Sequence, residues 1–297
     1  MSGMTRALGL GTWMRWALTG LKVLVLLLIL VVTLFPFVNL AAVSLSDELY
    51  VLKNQITVYP RGVNVHAYVM VLKDKMIQRS YANTLLYVVV GTALAVGITA
   101  AGAFALSRSK MVLRRGFSML LVFTMLFNGG MIPTYLAIKT LGLMDTMWSF
   151  LLLGSAPAWY VFLMRSFFLG IPKELEEAGI IDGLNDIGVF WRIFLPLSKA
   201  ALATFSLFYA VGIWNSFFEP FLYFQTLQKY PLQVILRQLL IANNFRLGEM
   251  NAVGEGMLLP ESLKAATIMV STVPILLVYP FIQRYFVKGI IVGAVKG

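Results

Sequence analysis

Six stretches of this chain run far enough between charged side chains to cross a lipid bilayer, and no other feature of the sequence restricts its fold as tightly. They lie between Lys22 and Asp47, Arg79 and Arg108, Arg115 and Lys139, Asp145 and Arg165, Lys199 and Glu219, and Lys264 and Arg284. A helix needs about 20 mostly apolar residues to cross the ~30 Å hydrocarbon layer. Within that layer every backbone polar group must find its partner inside the protein, which a helix provides along its own length. The pattern therefore predicts an all-α, polytopic membrane protein with six transmembrane helices. Composition agrees: 59% of the residues are hydrophobic and 12% charged, against roughly 25% charged in an ordinary soluble domain. With most of the 297 residues assigned to crossings, little is left for a separate globular domain. The first span exceeds the usual apolar core of a cleaved signal peptide and contains Pro36, so it is read as an uncleaved anchor.

Basic residues resist translocation, so short basic loops face the cytoplasm. Arg6, Arg15 and Lys22 precede the first span, and Arg108, Lys110, Arg114 and Arg115 crowd the turn between the second and third. Both termini are thus expected inside, and Arg284, Lys288 and Lys296 agree. The segments from Ser44 to Ala82 and from Phe224 to Lys264 then face outward. The net charge of +11 reports this topology, because most aromatics lie within apolar spans; no nucleic-acid partner is expected. The chain has no cysteine and a single histidine, His66. Disulfides, thiolate nucleophiles and multi-histidine metal sites are excluded on that ground.

Between the fourth and fifth spans, residues 171–197 form a charged, glycine-punctuated segment too elaborate for a plain connection. Pro172 suits the first position of a helix, Glu174, Glu176 and Glu177 suit its positive end, and Gly183 suits a left-handed stop. Asn185 or Asp186 can cap a second helix in which Phe190, Trp191 and Phe194 share a face until Pro196 ends it. Chemistry alone leaves a second account open: two interfacial helices lying on lipid, with their acids merely solvated.

The spacing Glu177-Ala178-Gly179, then Gly183, then Ile193 and Leu195-Pro196 resembles the EAA loop of permease subunits in binding-protein-dependent ABC importers. Gly179 departs from the second alanine that is usual there. The resemblance implies that 171–197 is the cytoplasmic coupling hairpin docking on an ATPase subunit, with Glu177, Ala178, Gly179, Asp182, Gly183, Ile193, Leu195 and Pro196 as the coupling residues. Residues from about Tyr81 to Gly297 are similar to the permease core of the carbohydrate-uptake subfamily, at Pro133-Thr134-Tyr135, Arg165 to Phe168, Trp214-Asn215, Tyr230-Pro231-Leu232 and Pro280 to Gly297. The last of these resembles permeases for larger, often acidic oligosaccharides such as oligouronates. The resemblance implies a type I importer core with both termini inside. Residues 1–80 would hold the N-terminal segment, first span and outward loop, and 81–297 the core. It further implies a bacterial cytoplasmic (inner) membrane location, a second homologous permease subunit, two ABC ATPase subunits and an extracytoplasmic sugar-binding protein. No G-x-x-x-x-G-K-[ST] segment occurs, so the chain is expected to be no enzyme and to hold no cofactor, with ATP and Mg in the partner ATPase.

Sugars are usually held by aromatic faces with hydrogen-bonding groups at their edges. Tyr209, Trp214, Asn215, Phe218 and Glu219 near the fifth span, and Tyr160 in the fourth, are the candidates for a substrate path; packing or an interfacial belt explains the same residues. In the second span, Ala93, Gly97 and Ala101 form one stripe and Gly91, Ala95, Thr99 and Ala103 another, either of which admits close helix approach. Asn128-Gly129-Gly130 and Pro133 should interrupt the third span, as a gate or path wall or as a packing kink. After the fifth span, Leu232, Ile235, Leu236, Leu239 and Leu240 recur at helical spacing with Arg237 opposite, predicting an amphipathic helix outside the membrane. That helix and residues Asn243 to Glu255 are expected to meet the binding protein. An embedded hydrolase would want paired carboxylates or a served nucleophile inside the spans, and an ion-coupled carrier would want buried charges there; the six interiors carry neither. An importer for another solute class remains the alternative to sugar.

Overall fold

The computed structural model describes residues 12–109, 111–241 and 261–294, and among them all regular structure is helical. In chain order the helices are α1 (Thr12–Ser44), α2 (Glu48–Leu52), α3 (His66–Lys73), α4 (Lys75–Ser107), α5 (Arg114–Leu126), α6 (Met131–Thr140), α7 (Trp148–Leu151), α8 (Ala158–Leu169), α9 (Lys173–Ile181) and α10 (Asp186–Val189). A π-helical turn (Phe190–Phe194) leads into α11 (Leu195–Leu197), followed by α12 (Lys199–Asn215), α13 (Phe218–Tyr223), a 3-10 turn (Leu227–Lys229), α14 (Leu232–Ile241) and α15 (Glu261–Ala294). Two compact units result. One runs up to Leu72 and takes in α15 as far as Val270; the other takes in Lys73 onward and α15 from Ser271.

In the first unit α1 is a 33-residue apolar helix that continues through Pro36. Its leucine and valine side chains are exposed, as suits a surface solvated by lipid tails. Ser44 closes it, donating to the carbonyl of Ala41 at 2.8 Å and pairing with the Tyr68 hydroxyl at 2.7 Å. Asp47 caps α2 by accepting from the Leu49 amide.

In the second unit α4 is the central helix. Asp74 caps its start, accepting from the amides of Met76 and Ile77, and α8 and α12 pack along it. Gly91 explains how closely: a β-carbon there would meet Leu151 at 2.5 Å and Ile213 at 2.6 Å. Of the two small-residue stripes, Gly91, Ala95, Thr99 and Ala103 are buried, whereas Ala93, Gly97 and Ala101 are exposed. Thr99 and Tyr209 join α4 to α12 by a hydroxyl pair at 2.5 Å. Two apolar cores form along α4. One gathers Phe104, Leu106, Met164, Phe168, Val189, Phe194 and Phe205 near its end, and the other gathers Tyr87, Ile138, Phe150, Tyr223 and Phe224 nearer its start.

The expected third and fourth spans are each two short helices. Between α5 and α6 the chain turns at Gly130, whose φ of +87° is open to glycine and poorly open to other residues. Asn128 stabilises the turn by accepting from the Gly130 amide at 2.9 Å. Pro133 does not add to the break. It lies in the first turn of α6, where its missing N–H costs nothing. Between α7 and α8 the helix stops before Pro157, which precedes the first residue of α8. By length and apolarity, α1 from Trp16 and α4 can each cross a bilayer unaided; a third candidate pairs Asp186–Leu197 with Lys199–Asn215 across a bend of 82°.

Helix α14 forms as its spacing predicts, but its apolar face is not free for lipid. Leu232, Val234, Ile235, Leu236 and Leu239 are buried, while Arg237 is exposed with its guanidinium 4.0 Å from the Phe217 ring centre. The Leu232 amide donates to Thr84 of α4 at 2.8 Å, so the face is spent on protein packing. Asn243 to Glu255, expected to meet a binding protein, lie outside the described residues.

Candidate functional site

The segment 171–197 folds as a helical hairpin. Pro172 stands immediately before α9, at its cap and not its first position. Glu174 and Glu176 occupy the first turn, where carboxylates meet the positive end of the helix dipole. Gly183 takes φ +84°, and Asn185 caps α10 by accepting from the Gly188 amide at 2.8 Å.

Pro196 does not end the second arm, contrary to the sequence expectation. Helix runs past it to Leu197 and the bend falls at Ser198. A proline within a helix crowds the carbonyl four residues earlier and offers it no hydrogen. Here the preceding turn widens to a π-turn, and Leu195 donates to Phe190 five residues back. The wider turn also redistributes the aromatics. Phe190 and Phe194 pack on the Phe104 ring with centroids 5.0 and 4.9 Å away, whereas Trp191 turns outward, 64% exposed.

The two arms meet at Gly179 and Ile193. Gly179 is buried, and a β-carbon on it would lie 2.5 Å from Cδ1 of Ile193 and 3.3 Å from Leu184. The tip of the opposing isoleucine lies so close that glycine fits here without displacing it. Glu177, Ala178 and Asp182 are exposed on the outer side, next to the exposed apolar side chains of Ile180, Ile181, Ile187 and Trp191. Leu195 is half-buried and Pro196 exposed.

Two arginines read from sequence only as boundary markers turn out to tie elements together, and one of them, Arg108, holds this hairpin. Arg108, just past the end of α4, lies between Glu176 of α9 and Asp186 of α10. Arg165 of α8 donates from Nε to the Leu106 carbonyl at 2.9 Å. The signal available was sign alone: an arginine at a helix end and a cluster of acids about 70 residues later.

A second feature is a cavity of about 730 Å³ beside α12. Of the candidate path residues, Tyr160, Tyr209, Phe218 and Glu219 line it. Tyr160 lies nearly parallel to Phe208 at 5.9 Å and edge-on to Tyr209 at 5.2 Å. Trp214 is directed elsewhere, buried edge-on against Tyr81 at 5.8 Å. Asn215 is exposed and donates to the Val211 carbonyl of its own helix, so neither of these two forms the wall. Thr134 and Phe208 join the lining from positions the sequence did not connect, and Asn128 and Gly130 join it from the expected break in the third span. The lining includes Glu219, which accepts from the Ser216 hydroxyl at 3.1 Å, and no lysine or arginine among the described residues.

Near the cavity, Asp145 clamps two connections together. It takes φ +57° and its carboxylate accepts from the amides of Gln225 and Thr226, the Thr226 hydroxyl and Lys229 Nζ. Burial alone would raise this carboxyl, but the hydrogen bonds from Lys229, Thr226 and Gln225 outweigh it and hold it well below the usual carboxylate range.

The family model for the binding-protein-dependent transport system inner membrane component matches residues 93–292. The polygalacturonan/rhamnogalacturonan transport system permease protein YtcP of Bacillus subtilis (strain 168) is 40% identical over 273 residues, covering 92% of this chain and 96% of that protein. Protein LplC of the same organism is 40% identical over 266 residues, covering 90% of each. Among solved structures, a chain of a bacterial ABC transporter involved in the import of the acidic polysaccharide alginate matches with a TM-score of 0.88 at 32% identity, over 93% of this chain and 99% of that one.

Proposed function

This chain belongs to the family of binding-protein-dependent transport system inner membrane components, and from that premise we propose that it is one of two permease subunits in an ATP-driven importer of acidic oligosaccharide. The cargo class rests on YtcP, named for polygalacturonan and rhamnogalacturonan transport, and on the alginate importer. The observation that carries the permease role is the hairpin. Two short arms locked at Gly179–Ile193 present Glu177, Asp182 and a cluster of exposed apolar side chains. An exposed apolar patch of this kind marks an interaction surface for protein or membrane, and with the family membership the partner proposed for it is an ABC ATPase that holds ATP and Mg.

Six crossings are assigned: α1, α4, α5 with α6, α7 with α8, α12 and α15, with both termini in the cytoplasm. Basic residues at the start of α1 and after α4 support that orientation. The breaks within the third and fourth crossings expose backbone that lipid cannot satisfy, and the cavity they border supplies a polar surround. Its Tyr160, Phe208 and Tyr209 faces offer sugar rings a wall, with Glu219, Asn128 and Thr134 as hydrogen-bonding edges. A soluble binding protein delivers the cargo to the outer mouth, and a homologous permease supplies the opposite wall.

The test is uptake into proteoliposomes by the complex of this chain with its neighbouring permease, ATPase and binding protein. Oligogalacturonate and oligomannuronate should be taken up with ATP and outcompete neutral maltooligosaccharides of equal length. Preference for the neutral sugars would overturn the cargo assignment, and uptake driven by an ion gradient without ATP would overturn the importer reading.

A further inference from the structure

Three contacts converge on the last turn of α4. The Arg108 guanidinium divides between the two arms of the hairpin: Nη2 donates to Oδ1 of Asp186 at 2.9 Å, and Nη1 lies 2.5 Å from Oε2 of Glu176, off the hydrogen-bond direction, so that contact is electrostatic. The side chain is 11% exposed, and its guanidinium carbon lies 5.2 Å from the Phe104 ring centre. That same ring carries Phe190 and Phe194 of the hairpin.

The other end of α4 is tied with equal care. Asn83 donates to the carbonyls of Gln228 and Tyr230, Tyr87 donates to the Lys229 carbonyl, and Thr84 accepts from the Leu232 amide. Between Asn83 and Arg108 α4 runs without a proline, a rod of about 37 Å at 1.5 Å per residue.

We propose that Arg108 is the pin by which displacement of the hairpin is passed to α4, and that α4 carries it as a rod to the 226–232 segment, which follows the cavity-lining Leu222 and Tyr223. This rests on the reading of the hairpin as the ATPase-docking element. A competing route runs along the chain itself, from α11 into α12 through Ser198. The axis turns by 82° there, so a push along α11 is not directed along α12, whereas the Arg108 guanidinium, with one carboxylate on each arm, resists separation in both directions. Arginine suits this task because its planar fork addresses two carboxylates at once, while lysine is a point charge that holds one. Arg108 is a positioning residue: it meets neither cargo nor ATPase.

The test uses the reconstituted complex with its binding protein and oligogalacturonate. Arg108→Ala should still co-purify with the ATPase and hydrolyse ATP at the basal rate, while cargo taken up per ATP falls roughly ten-fold, within the range of ordinary coupling energies. Arg108→Lys should recover part of the loss. The pair Glu176→Gln with Asp186→Asn should reproduce it, and adding Arg108→Ala to that pair should cost nothing further, as residues acting through one contact are non-additive. Wild-type uptake per ATP in Arg108→Ala, or losses that simply add, would overturn the proposal. If Arg108→Ala fails to assemble, the Glu176→Gln, Asp186→Asn pair decides by the same ratio. Ligand-stimulated hydrolysis by the wild-type complex tests the underlying permease reading separately, so the two can fail independently.

Discussion

Gly179 and Gly183 stand four residues apart in the hairpin and do different work. Gly183 is needed for its backbone, at φ +84°, and replacement by alanine should lower the thermal midpoint of the detergent-solubilised complex by the equivalent of about 1 kcal/mol. Gly179 is needed for its missing side chain. An alanine there presses on the tip of a flexible isoleucine, which can rotate away, so Gly179→Ala should be tolerated. Gly179→Leu must push the arms apart, and should cost roughly 1–3 kcal/mol as overpacking does, read as loss of ATPase co-purification. At Asp145 the folded carboxyl is held below its ordinary value, so its contribution is present above the unfolded value near about 3.9 and is lost only as pH falls through the lower folded one. The midpoint difference between wild type and Asp145→Asn should therefore stay constant from pH 7 to pH 5; a difference that vanished in that window would show that the clamp is not the ionised form. The left-handed glycine and the asparagine cap could be read from residue type, because each type has one strong local use. Arg108 could not, because a charge at a helix end states its sign and not its partners.

At the scale of elements, uncharged apolar runs identified α4 and α12, helical spacing identified α14, and of the two breaks in the expected third and fourth spans the second was missed. The reason is physical: apolarity measures what a segment can be buried in, and is blind to whether its backbone stays helical. Asn128, Gly130 and Pro157 carried that information, and only the first break was anticipated. Pro196 misled in the opposite sense, since a widened turn accommodates it. Trp191 is the outcome: with three aromatics spaced for one face, the π-turn keeps Phe190 and Phe194 on Phe104 and sends the indole outward. The chain contains no cysteine, so single cysteines report contacts without background. Ile187→Cys should cross-link to a cysteine in the groove of the ATPase, and Gly179→Cys, buried between the arms, should not.

At the scale of the molecule, the cavity supplies one wall of the proposed path, and the proposed companion permease the other. The cavity holds a carboxylate and no cation among its described lining, and on the proposed reading the companion permease supplies the positive charge that an acidic saccharide requires. This chain alone in liposomes should therefore neither bind nor move oligogalacturonate, and the pair of permeases should bind it with an affinity that falls as salt is raised. The candidate path was partly legible: Tyr160, Tyr209, Phe218 and Glu219 line the cavity, while Trp214 and Asn215 sit on the same helix but face other neighbours. An aromatic on an apolar helix has the same composition whether it faces a cavity or a core, and the choice is made by packing against α4 and α8. The central claim is that the hairpin receives the work of ATP hydrolysis, and the most direct measurement is ligand-stimulated ATP hydrolysis by the full complex carrying Glu177→Lys. The account predicts that stimulation by cargo-loaded binding protein is lost, with the ATPase released or left at its basal rate. Full stimulation with undiminished uptake would contradict it.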